Sequence, residues 1–112
     1  MVALRDFNQD DLLPMAEYCA EHGHDLTIIE TMPLGDTGTD QKLDHIAVEE
    51  FIAPLHSQYE LSPIAHRSAG PARYEIVEPL GLRLGLITPL SQNFCDGCNR
   101  LRLTTDGKIF MC

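Results

Sequence analysis

The chain reads as an α/β protein, and three observations carry that reading. The first 34 residues run from a short apolar stretch, through a stretch with helical spacing, to a run rich in branched residues. From Gly70 onward the pattern becomes that of strands broken by glycine and proline. Three cysteines then fall near the end, at Cys95, Cys98 and Cys112, spaced C-x2-C-x13-C. Strand, helix, strand is the unit of a parallel sheet or a (β/α) barrel.

Val2-Ala3-Leu4 reads as the first strand. Asn8 is placed to cap a helix carrying Asp10 and Asp11 in its first turn, where carboxylates meet the positive end of the helix dipole. Leu12, Met15, Ala16 and Cys19 recur at helical spacing, with Leu13 and Ala20 widening the stripe. Pro14 lies early enough to be tolerated, Gly23 is the expected stop, and Cys19 reads as a small buried apolar residue. Leu26 to Glu30 is the second strand, ended by Met32-Pro33-Leu34-Gly35. Ligands of such folds gather at the carboxyl ends of the strands, where Arg5 and Met32 fall. A solvated arginine and a core methionine are the plain alternatives for those two.

Asp36 to Asp40 is a polar loop. Leu43 to Ala53 is expected to be one helix, with Val48, Phe51, Ile52 and Leu55 on its apolar side, Pro54 ending it, and His45 and His56 on its surface. Tyr74 to Val77 and Leu82 to Ile87 are strands joined by Glu78-Pro79-Leu80-Gly81. Both ends look cut, so the chain is expected to be a piece of something longer.

Composition narrows the function. A length of 112 residues allows one domain or less. Asp and Glu number 17 against 8 Lys and Arg, a formal charge of −9, which argues against binding a nucleic-acid polymer or an anionic membrane through a general field. No run is long and apolar enough to span a bilayer, and the start lacks a basic-then-apolar secretion signal. Reduced thiols in a cytoplasmic setting are the expectation.

Around the cysteines the charge balance reverses, with Arg100, Arg102 and Lys108 against Asp96 and Asp106. Thiols with two residues between them can share one metal centre, and both zinc and iron accept thiolates. A closed zinc site needs a fourth protein ligand, yet His22, His24, His45, His56 and His66 all lie well upstream. A cubane cluster held by three cysteines leaves one iron open to a non-protein ligand. Arg100 and Arg102 alternate with Leu101 and Leu103, so both arginines share one strand face. The turn at Thr105-Asp106-Gly107 permits two registers. A two-residue loop puts Cys112 opposite Leu101. A three-residue loop with Gly107 left-handed puts it opposite Arg100, on the arginine face, and is the expected one.

The run Phe94-Cys95-Asp96-Gly97-Cys98-Asn99-Arg100-Leu101-Arg102-Leu103-Thr104, continuing through Asp106-Gly107-Lys108 to Cys112, resembles the C-terminal cluster motif of the radical S-adenosylmethionine GTP 3′,8-cyclases of molybdenum-cofactor biosynthesis. Ile29 to Gly35, Gly70 to Tyr74 and Gly85 to Ser91 resemble further segments of that family in the same order. The resemblance implies the last strand–helix–strand of an incomplete barrel over 1–34, then a small α+β domain over 35–112 that binds a [4Fe-4S] cluster. It implies Cys95, Cys98 and Cys112 as cluster ligands, with Arg5, Arg100, Leu101 and Arg102 on GTP and Met32 on S-adenosylmethionine. In the family, GTP becomes 3′,8-cyclo-7,8-dihydroguanosine triphosphate, a second [4Fe-4S] cluster cleaves S-adenosylmethionine, and a homodimer is possible. Four departures stand out. Arg5 replaces a usual lysine, Asp6 a glycine and Thr27 an arginine, and the C-x3-C-x2-C motif of the cleaving cluster is absent, so the chain alone is expected to be inactive. The other readings are a radical enzyme whose extra cluster transfers electrons, and a structural zinc module.

Overall fold

The computed structural model describes residues 1–32, 45–68, 70–92 and 100–111. The first unit is strand β1 (Val2–Ala3), helix α1 (Leu12–Glu21) and strand β2 (Leu26–Glu30), with β1 and β2 parallel and Ala3 opposite Glu30. Two short helices follow, α2 (Val48–Phe51) and α3 (Ala53–Gln58), then an antiparallel run of β3 (Glu60–Ile64), β4 (Arg73–Glu78) and β5 (Leu82–Ile87). β5 pairs in parallel with β2, closing one five-stranded sheet of order β1-β2-β5-β4-β3. A separate hairpin is formed by β6 (Leu101–Leu103) and β7 (Ile109–Met111).

The core lies between this sheet and the helices. Leu26 and Ile28 of β2, Leu82, Leu84 and Leu86 of β5, and Val77 of β4 bury alternate side chains against Leu12, Ala16 and Cys19 of α1. Val48, Phe51, Ile52 and Leu55 complete it. The mixed sheet with helices packed on it bears out the α/β reading, and Cys19 is the buried apolar residue expected.

Four expectations need correction. Asn8 does not cap α1: the helix starts at Leu12, with Asp11 as its cap residue and no side-chain cap. The Asn8 side chain instead closes the turn after β1, accepting from the Leu4 N–H at 3.1 Å and donating to the Val2 carbonyl at 2.8 Å. The helix expected over Leu43 to Ala53 is broken: residues 45–47 are not helical, and Ile52 ends α2 while leading α3. Pro54 opens α3 instead of closing a helix, because a first-turn position needs no N–H. His45 is half-buried against Glu30, not a surface residue.

Strand β3 was not legible at all. It is an edge strand, where Pro63 disturbs no ladder on its outer side. Gly23 does stop α1: at φ +66° it lets its own N–H reach the Ala20 carbonyl and the His24 N–H reach that of Cys19. The polar loop over 36–40 and the expected boundary at 34–35 lie outside the described residues.

Candidate functional site

β1, β2 and β5 are mutually parallel, so their carboxyl ends share one edge of the sheet. The antiparallel β4 starts there too, with Arg73 opposite Leu86. Arg5 leaves the end of β1 on the turn that Asn8 holds. Its Nη1 and Nη2 donate to the two carboxylate oxygens of Glu50 at 2.8 and 2.9 Å, and its Nε donates to the His45 carbonyl at 3.1 Å. The hydrogen bond from Arg5 holds the Glu50 carboxyl below its ordinary range, and the same pair raises Arg5. Met32 follows β2 on the same edge, partly exposed. The structure therefore brings Arg5 and Met32 to the edge where the sequence put them.

Glu30, the last residue of β2, is the buried charge of this edge, at 1% exposure. One carboxylate oxygen accepts the N–H groups of Leu90 at 2.8 Å and Ser91 at 3.0 Å. The other lies 3.3 Å from Nε2 of His45, off the line of a good hydrogen bond. Burial pushes this carboxyl up, but the N–H groups of Ser91 and Leu90, with the Ser91 hydroxyl and His45, outweigh it, and the net shift is down. Sequence reasoning missed this role, although the signal existed: Leu26, Ile28 and Glu30 alternate on one strand face, so the glutamate points where the leucine and isoleucine do.

A second polar group flanks it. Arg73 donates to the Gln92 side-chain oxygen and lies 3.8 Å from Glu49, while Gln92 donates to Glu49 at 3.3 Å. Consecutive residues of α2, Glu49 and Glu50, thus each face an arginine of the edge.

The β6–β7 hairpin shows the three-residue loop. The Thr104 N–H donates to the Lys108 carbonyl at 3.0 Å and the Lys108 N–H to the Thr104 hydroxyl at 3.1 Å, the Gly107 N–H returns to the Thr104 carbonyl at 3.0 Å, and Gly107 sits at φ +80°. The register is Leu101 opposite Met111, Arg102 opposite Phe110 and Leu103 opposite Ile109. Leu101, Leu103, Ile109 and Met111 therefore form one apolar, exposed face, with Arg102 and Phe110 on the other. Arg100 approaches the sheet: a Cβ placed on Gly70 would lie 3.2 Å from its Nη2. Gly70 is three residues before Arg73, so this guanidinium lies near the start of β4.

Cys95, Cys98 and Cys112 lie outside the described residues, and among the described residues no group of three or more His, Cys, Asp or Glu side chains is placed to hold a metal ion. Among them too, no helix is long and apolar enough to cross a membrane.

The family model described as Molybdenum Cofactor Synthesis C matches residues 24–112, taking in β2 through β7 and all three clamp cysteines. The chain belongs to that family. It is also 46% identical over 112 residues to the GTP 3′,8-cyclase of Paracoccus denitrificans, covering 99% of this chain and 33% of that protein. The GTP 3′,8-cyclases of Rhizobium meliloti and Rhizobium etli are 45% and 43% identical over 111 residues, each covering 99% of this chain and 32% of the relative. The chain thus spans about a third of the length of the curated relatives it matches. Arg5, outside the family match, lies within the span shared with these relatives.

Proposed function

We propose that this chain is the GTP- and cluster-binding portion of a GTP 3′,8-cyclase acting in molybdenum-cofactor synthesis. Cys95, Cys98 and Cys112 would hold a [4Fe-4S] cluster whose open iron, when the cluster is bound, gives guanine a ligand position. Three thiolates without a fourth local ligand suit a cluster better than a closed zinc site. Arg100, Leu101 and Arg102 contact the nucleotide, Arg5 its phosphates, and Met32 S-adenosylmethionine. A cytoplasmic place, the reading of residues 1–34 as the end of a partial barrel and of 35–112 as the cluster domain, and a homodimer of the longer protein all go with this reading.

The observation that carries it is the hairpin. Its three-residue loop sets the register in which Arg102 faces away from the apolar side, and Arg100 reaches toward the sheet edge where Arg5 and Met32 lie. Two arginines set in sequence between the second and third cysteines fit a phosphorylated ligand, because the fork matches phosphate oxygens bidentately.

Anaerobic loading with iron and sulfide, followed by metal analysis and GTP titration, tests the reading. The expected result is a cubane with acid-labile sulfide, lost on changing Cys95 or Cys98 to Ala, together with GTP binding that weakens roughly ten- to hundredfold in Arg102→Ala at unchanged iron content. One tight zinc with no labile sulfide and no nucleotide binding would make the clamp a structural metal module. A cluster indifferent to GTP would point to electron transfer.

A further inference from the structure

We propose that Glu50 is an internal competitor for the anion that Arg5 takes. The inference rests on the reading of Arg5 as a phosphate contact and adds how that contact is governed. Both Nη groups of Arg5 are already occupied by the Glu50 carboxylate at 2.8 and 2.9 Å, in the bidentate arrangement a phosphate would use. Nε is held by the His45 carbonyl, which orients the fork without neutralising it, and the two N–H groups left, one on each Nη, point apart and form no second fork. An incoming phosphate therefore exchanges places with a carboxylate instead of meeting a free cation.

The geometry favours an exchangeable contact. Both side chains of the pair are well exposed, at 39% and 52%, so the bond holds in solvent, where such pairs contribute little. The same pattern is repeated next door, where Glu49 faces Arg73 at 3.8 Å and accepts from Gln92. One four-residue helix thus sets consecutive carboxylates on two arginines of the strand-end edge. In a chain of formal charge −9, these carboxylates also keep the edge from gathering small anions with too few charges to displace them.

The test is a double-mutant cycle on the cluster-loaded chain. GTP and inorganic triphosphate are each titrated into wild type, Glu50→Gln, Arg5→Gln and the double variant, with circular dichroism confirming the fold of all four. Glu50→Gln should bind both ligands roughly two- to fivefold more tightly, the range an exposed ion pair supplies. That gain should shrink by at least half when Arg5 is Gln, since competition needs Arg5 while general repulsion does not. An equal gain in both backgrounds would reduce Glu50 to a bystander charge and overturn the proposal, as would unchanged or weaker binding in Glu50→Gln. Failure of GTP alone, with triphosphate still following the cycle, would remove the nucleotide reading and leave the competition standing. Absence of triphosphate binding in every variant would overturn the competition itself.

Discussion

Replacing Glu30 should be the most damaging single change at the strand-end edge. Its carboxylate accepts two backbone N–H groups, of Leu90 and Ser91, from a side chain with no solvent exposure. Hydrogen bonds to a charged group are typically worth ~1.5–3 kcal/mol each, and Ala would strand both donors. The desolvation of the carboxylate offsets part of this, leaving a net loss of about 3–5 kcal/mol for Glu30→Ala. For a chain of this size that lowers Tm by about 10–20 °C. Glu30→Gln keeps one acceptor oxygen of similar reach and should lose only about 1–2 kcal/mol. The sign of the pH effect follows from the direction of the shift. The Glu30 carboxyl is held below the ordinary value of 4.5, so its contribution is complete above that pH and is lost as pH falls through the depressed folded value. Thermal unfolding of wild type and Glu30→Gln from pH 7 to pH 3 reads this as a gap that narrows only below about pH 4.5. Because other carboxylates titrate alike in both proteins, the difference isolates Glu30. A Glu30→Ala variant within about 1 kcal/mol of wild type would refute the argument, as would a gap constant across the whole range.

Two further substitutions test the packing and the backbone. Gly85→Ala should cost about 1–3 kcal/mol, because its Cβ would lie 2.9 Å from Thr27 Oγ1 and 3.1 Å from Tyr74 Cε1; prior removal of the threonine in Thr27→Ala should recover a good part, and an identical cost in both backgrounds would sink the explanation. Asp6 sits at φ +54°, a left-handed conformation glycine adopts freely, so Asp6→Gly should match or exceed wild type in denaturant melts while Asp6→Val falls about 1–2 kcal/mol below it; equal stability of the Gly and Val variants would mean the strain is not there.

What the sequence revealed follows the strength of local signals. The bounds of β5 were readable to the residue, because Leu82, Leu84 and Leu86 alternate and a turn precedes them. The hairpin loop was readable because Gly107 is the residue best suited to the left-handed position a three-residue loop needs. α1 was readable as a stripe but not at its start, where Asn8, Asp10 and Asp11 look like a cap and Asn8 instead bonds back to β1. β3 gave no signal, since its alternation is weak and it exists through pairing with β4. The break between α2 and α3 was hidden for a similar reason: the apolar positions on both sides bury into one core, so their spacing reads as one helix. The strand ends of Arg5 and Met32 were legible from topology, while the partners of Arg5 were not. Glu50 lies 45 residues away and His45 40, so only the fold brings them together.

The departures from the resembled family find local reasons in this geometry. Where lysine is usual, Arg5 makes three directed hydrogen bonds at once, two to Glu50 and one to the His45 carbonyl. A lysine, a single point charge on a flexible stem, cannot hold a carboxylate bidentately while keeping a separate donor on that carbonyl. Where glycine is usual, Asp6 keeps the positive φ that the turn requires, and its N–H is taken by the Gln9 side chain at 2.9 Å, which helps hold a strained residue in place. Where arginine is usual, Thr27 stands opposite Gly85 in the ladder, its hydroxyl filling the space a glycine leaves. A cation is thereby absent from the amino-end half of β2, the strand whose carboxyl end lies at the edge where Glu50 pairs with Arg5. At the other end of the edge Arg100 approaches Gly70, while Arg73, at the start of β4, faces Glu49. Under the proposed function, Arg5 answers only to a ligand able to displace a carboxylate, and Arg73 beside Glu49 is under the same constraint.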